Sequence, residues 1–109
     1  MSDEKRKHGR VPLVMEASWE GAGSRSKART TDISVTGCFI DTQGAVSVGD
    51  ILNINFIPPD GKPIAVQGRV MYQQRGLGFG VRFIRIPELD RLHLSALLRT
   101  GSGETRRTG

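Results

Sequence analysis

The chain is short of several things, and each shortage removes a class of function. It has one cysteine, Cys38, so no internal disulfide can form and nothing points to an oxidising compartment. Its two histidines, His8 and His93, are far apart in sequence, without the cysteine pairs or close histidine spacing of a metal site. Only six residues are aromatic, one Trp, one Tyr and four Phe. Most sit at core-like strand positions, which speaks against a stacking platform for single-stranded nucleic acid. No apolar run approaches membrane-spanning length, and the charged N-terminus has no apolar signal core. The expected location is the cytoplasm. No phosphate-cradling glycine motif precedes a helix, since Gly76, Gly78 and Gly80 lie in or beside a strand. Cys38 falls in an apolar strand and His93 between Leu92 and Leu94, where packing is the simplest role for each. The chain is read as a non-enzyme without metal or cofactor.

What is present is glycine and charge. At 109 residues, 37% of them hydrophobic and 14 of them glycine, the chain makes one turn-rich, β-rich domain with a single core. The formal charge of +5 is unevenly spread. Residues 1–10 hold Lys5, Arg6, Lys7 and Arg10 against Asp3 and Glu4, and lack apolar content. They are expected to form a flexible basic segment, a local anion grip rather than a broad nucleic-acid surface.

From Pro12 the pattern turns to strands. The run from Leu13 to Trp19 is the first, and Arg25 to Ile33 the second, with charged and small residues alternating. A short strand over residues 37–40 follows, then a polar loop over 41–50. The run Ile51-Leu52-Asn53-Ile54-Asn55-Phe56-Ile57 alternates clearly, and Pro58-Pro59-Asp60-Gly61 is a strong turn signal. Residues 64–73 complete a hairpin, with Ile64, Val66, Val70 and Tyr72 sharing one face around Gly68. Residues 77–83 form the sixth strand, its glycines marking a bend or a close approach by backbone or ligand. Pro87, Glu88 and Asp90 open a helix whose apolar stripe is Leu89, Leu92, Ala96 and Leu97, widened by Leu94 and Leu98. Arg99 and Gly101 are its stop signals, and residues 101–109 read as a disordered tail. The expected architecture is a six-stranded antiparallel barrel over residues 11–100 that includes a C-terminal helix, closure removing unpaired edges.

Two clusters stand out. Arg6 and Arg10 can each present a planar fork to phosphate oxygens or to guanine O6 and N7, and each can stack on a base. In Asp32-Ile33-Ser34-Val35-Thr36-Gly37, the aspartate and serine lie two apart, on one side in extended geometry. A carboxylate there can accept the paired N–H donors of guanine's Watson–Crick edge, and Gly37 permits a positive φ. Taken singly, each cluster is better read as ordinary structure, the first as a solvated basic tail and the second as a self-capped turn.

Together, and in this order, they resemble the PilZ domain family, marked by Arg-x-x-x-Arg followed by Asp/Asn-x-Ser-x-x-Gly. Arg6 and Arg10 form the first motif and Asp32, Ser34 and Gly37 the second, with 21 residues between Arg10 and Asp32. The run Gly78-Phe79-Gly80-Val81-Arg82-Phe83 is similar to the family's Gly-x-Gly-Val-x-Phe strand. The resemblance covers roughly residues 5–99. It implies a PilZ-type β-barrel that binds the bacterial second messenger cyclic di-GMP. Arg6 and Arg10 would hold phosphates and guanines, Asp32 and Ser34 would contact a guanine from the barrel side, and Gly37 would shape the turn. Lys5 and Gly80 are further candidates. Lysine at position 5 keeps charge but loses the planar fork that often accompanies a stacked pair of ligands, so one ligand or two stays open. The implied role is a receptor passing second-messenger level to an unidentified effector protein in motility, pilus or exopolysaccharide control. A PilZ-fold adaptor working by protein contact without the dinucleotide is the alternative, and a nucleic-acid-binding barrel a remoter one.

Overall fold

Strict alternation of apolar and polar side chains makes the clearest element. Along Ile51–Ile57, Leu52, Ile54 and Phe56 are fully buried while their neighbours face outward, the period-two pattern of a strand with one dry face. The structure, a computed structural model, describes residues 14–21 and 23–107, with residues 100–107 as backbone only. Its elements in chain order are β1 (Met15–Gly21), β2 (Ser24–Ile33), β3 (Gly37–Asp41), β4 (Ile51–Ile57), β5 (Ile64–Gln74), β6 (Gly78–Arg85) and the helix α1 (Glu88–Arg107).

All strand pairings are antiparallel, and the order β1-β2-β3-β6-β5-β4 closes on itself through β1 and β4. This is the expected six-stranded barrel. Its turns use the anticipated residues: the amide of Gly61 donates to the Pro58 carbonyl at 2.9 Å, and Gly61 takes a positive φ of 81°.

The core is one cluster fed by every strand, including Met15, Trp19, Ile33, Ile40, Phe56, Val70 and Phe79. Trp19 meets Phe79 edge-to-face at 5.6 Å, and its indole N–H donates to the Thr42 hydroxyl at 3.2 Å. Complete burial of each large side chain stabilises by about 1.5–3 kcal/mol, before chain entropy is set against it.

The helix docks on β5 through Leu94 and Leu98. Leu89 and Leu92, expected in the apolar stripe, are instead 78% and 50% exposed. The docked face is centred on Leu94 and Leu98, one turn apart, and both expected residues lie off it. The helix also runs beyond Arg99 and through Gly101 to Arg107. Glycine inside a helix costs about 1 kcal/mol relative to alanine, which an established helix can absorb as it propagates. Polar links hold its start: Asp90 accepts the Ala65 amide at 3.0 Å, and His93 Nε2 lies 2.7 Å from Asp60 in the β4–β5 turn. The Lys62 amide and then His93 hold the Asp60 carboxyl below its ordinary value.

Two of the three register irregularities re-aim side chains near one another. On β2 the register slips between Thr30 and Asp32, a bulge that inserts one residue and reverses the parity beyond it. Thr30 and Ile33 both point inward, and Asp32 is turned to the outer face opposite Phe39. On β5 the register slips between Val70 and Tyr72. Val70 is fully buried but Tyr72 is 41% exposed, so Tyr72 leaves the core face that strand parity assigned to it.

Candidate functional site

The turn at residues 34–37 is a tightly bonded unit. The Ser34 amide donates to the Gly37 carbonyl at 2.9 Å, and the Thr36 amide donates to Ser34 Oγ at 3.1 Å. Ser34 Oγ lies 3.3 Å from the Gly37 carbonyl and 3.1 Å from Thr36 Oγ1. The Phe83 amide then donates to the Thr36 carbonyl at 2.8 Å, fastening the turn to β6. Ser34 is only 4% exposed, and its hydroxyl is engaged inside the turn. Because β2 ends at Ile33, extended-strand parity between residues 32 and 34 does not reach Ser34.

Gly37 is required for a different reason from the one its turn position suggests. It is not among the positive-φ glycines. A β-carbon there would collide with the Val81 carbonyl oxygen of β6, so glycine allows the two strands to approach.

Beside the turn lies a cleft of about 380 Å³ lined by Ser34, Thr36, Gly37, Tyr72, Gly80 and Arg82, among others. Gly80 and Tyr72 in this lining belong to a row that continues beside the cleft and is set by strand register. Asp32 pairs with Phe39, Phe39 with Gly80, and Gly80 with Tyr72, so one outward row crosses β2, β3, β6 and β5. Phe39 and Tyr72 stack with ring centroids 6.3 Å apart and planes at 29°. Between them Gly80 has no side chain to hold the tyrosine ring away. Asp32 is half-buried at the end of this row. The neighbouring row sets Gly37 opposite Arg82, and Arg82 opposite Arg69.

The arrangement thus offers an exposed aromatic ring and a guanidinium in a cleft, with a second ring and a carboxylate in the adjoining row. Such groups suit a base with paired N–H donors and an anion attached. Lys5, Arg6 and Arg10 lie outside the described residues. Asp32, Ser34, Gly37 and Gly80 fall within one patch, with Asp32 beside the cleft rather than in its lining. Sequence reasoning missed Phe39, Tyr72, Arg82 and Arg69. One signal was available: Val70, Met71 and Tyr72 are three apolar residues in succession, a break in alternation at which a bulge is one solution.

A larger cleft of about 550 Å³ is lined by Thr42, Gln73, Gln74 and Arg75. Its lining includes none of Asp32, Ser34, Gly37 and Gly80, and the Thr42 hydroxyl in it is already bonded to Trp19, Ser26 and the Lys27 carbonyl. Among the described residues no group of three or more His, Cys, Asp or Glu could hold a metal ion, and no helix is long and apolar enough to cross a membrane.

Comparison with known proteins agrees with this fold. The family described as "PilZ domain" matches residues 4–100. Among solved structures, the chain is similar to the PilZ domain of CeSA from a cellulose-synthesizing bacterium. That match has 16% identity and a TM-score of 0.64, and covers 82% of this chain and 93% of the other. It is also similar to the Bacillus subtilis inhibitor of motility (MotI/DgrA), with 15% identity and a TM-score of 0.73. There the match covers 96% of this chain but 53% of the other. At these identities the two structures share the fold. A search of curated proteins found no match.

Proposed function

The chain belongs to the PilZ domain family, a receptor family for cyclic di-GMP, and we propose that it binds this dinucleotide at the outer face of β2, β3, β6 and β5. The observation that carries the reading is the row Asp32, Phe39, Gly80, Tyr72 beside the bonded turn at residues 34–37. Asp32 accepts the paired N–H donors of a guanine. The exposed ring of Tyr72 supports a base, a contact worth about 1–3 kcal/mol. Ser34 acts mainly by holding the turn, since its hydroxyl is engaged there. Arg6 and Arg10 close over the ligand, gripping phosphate and guanine, with Lys5 adding charge. The basic segment thereby becomes part of a new surface in the bound state, which an effector protein reads.

The chain acts in the cytoplasm on this reading, through a partner in motility, pilus or exopolysaccharide control. One fold relative is an inhibitor of motility and the other comes from a cellulose-synthesizing bacterium. The test is calorimetric titration of the full chain with cyclic di-GMP. Arg10→Ala abolishes or strongly weakens binding, whereas Arg25→Ala, exposed and paired with Glu20 at 3.2 Å, leaves it unchanged. Binding untouched by Arg10→Ala removes the clamp from the reading.

A second reading, a protein-contact adaptor independent of the dinucleotide, is favoured by exposed Leu89 and Leu92 on α1. It requires that a partner stays bound when Arg6 and Arg10 are both replaced.

A further inference from the structure

The outer surface of the barrel treats charge in two different ways. On β1 and β2, opposite charges face each other: Glu16 pairs in register with Arg29, and Glu20 with Arg25. On β5 and β6 there is no acidic residue at all, while Arg69, Arg82 and Arg85 are exposed. Arg69 and Arg82 are direct cross-strand partners, which brings their β-carbons to roughly 5 Å. Like charges directly opposite one another destabilise a sheet. Neither guanidinium has an ion pair among the described residues. Arg82 also lines the cleft beside Ser34, Gly37 and Tyr72.

We infer that Arg82 and Arg69 form an anion seat at the rim of this cleft, which takes a phosphodiester of the bound nucleotide. The inference rests on the cyclic di-GMP reading above and adds a fixed strand-borne contact to the one proposed for residues 6 and 10. Two planar forks on adjacent strands can converge on one phosphate and hold it by charge-assisted hydrogen bonds. The repulsion carried by the empty pair is relieved when the anion arrives. An acidic protein surface could use the same charge. The shared cleft with a turn and an exposed aromatic ring favours the nucleotide.

Because two like charges face each other across the strands, replacing one of them has a signature that a structural role lacks. Arg82→Gln and Arg69→Gln, each in the full chain, lower affinity for cyclic di-GMP by about tenfold, as expected for a lost charge-assisted contact. The ligand-free melting temperature stays level or rises. Affinities within about threefold of the parent in both variants overturn the seat and leave the pair to an acidic partner. So does an affinity loss accompanied by a lowered ligand-free melting temperature, which assigns the pair to folding. If the parent protein itself gives no binding heat with cyclic di-GMP, the receptor reading fails separately. The seat is then decided on the parent with inorganic pyrophosphate: side-chain Nε–H resonances of Arg82 and Arg69 that shift together support it, and unmoved resonances overturn it.

Discussion

The ring of Tyr72 lies directly over Gly80, where any β-carbon would run into it. The two residues are register partners on β5 and β6, and the ring is the outer end of an exposed side chain. Gly80→Ala can therefore be accommodated by swinging the ring off the sheet, at a stability cost within about 1 kcal/mol. The same swing removes the stacking surface. Gly80→Ala and Tyr72→Ala should weaken cyclic di-GMP binding to a similar extent, about 1–3 kcal/mol. Urea unfolding and calorimetry on the same samples check this, and parental affinity in Gly80→Ala would contradict it.

Gly37 meets an obstacle that cannot swing. Its missing β-carbon faces the Val81 carbonyl oxygen, which is part of the β6 ladder. Gly37→Ala should force β3 away from β6 and destabilise the fold by about 1–3 kcal/mol. The measurement is the urea midpoint, with Gly80→Ala as the mild comparison. Equal midpoints for the two variants would show that the β3–β6 spacing is soft.

Ser34→Ala breaks the turn from within. It removes the acceptor of the Thr36 amide and the hydroxyl contact to the Gly37 carbonyl. The expected cost is about 1–2 kcal/mol. Hydrogen exchange at the Thr36 amide should accelerate, and ligand affinity should fall through loss of turn geometry. A Thr36 amide that exchanges at the parental rate in the variant would show that Ser34 does not hold the turn.

Asp60 gives the fold a specific acid response. Its carboxyl titrates below the ordinary 3.8 because the Lys62 amide, and after it His93, favour the charged form. A carboxylate lowered on folding contributes stability above its unfolded value and loses it as pH falls through the folded one. Asp60→Asn should therefore destabilise the parent fold near neutral pH and flatten the loss of stability below pH 3.8. Melting temperatures at neutral pH and across the acid range test both, and parallel acid limbs would show that Asp60 has no part in them.

Six strands and the closing helix were legible because their signals are local: alternation in Ile51–Ile57, turn residues between β4 and β5, and acidic residues in the first turn of α1. Asp32, Ser34 and Gly37 were legible as a turn for the same reason. The cleft beside them was less so. Phe39, Gly80 and Tyr72 become neighbours through the pairing of β3 with β6 and β6 with β5, and the outward position of Tyr72 depends on a bulge. The bulge near Thr30 likewise sets the direction of Asp32. Register is a property of two strands at once, and a one-residue slip exchanges the faces of everything beyond it. The role of Gly37 was misjudged in kind, because a close approach is visible only once the opposite strand is in place.

Closure of the barrel through β1 and β4 also constrains how an effector could recognise this protein. Each described strand has a neighbour on both sides, so backbone is left unpaired only where one strand outruns the next, as residues 24–28 of β2 outrun β3 and residues 71–74 of β5 outrun β4. Recognition by β-augmentation, which reads main-chain groups and is permissive of sequence, is confined to those short overhangs. Elsewhere on the wall a partner must read side chains or the helix. That makes its choice sensitive to single substitutions on the outer face, and to any ligand that covers them.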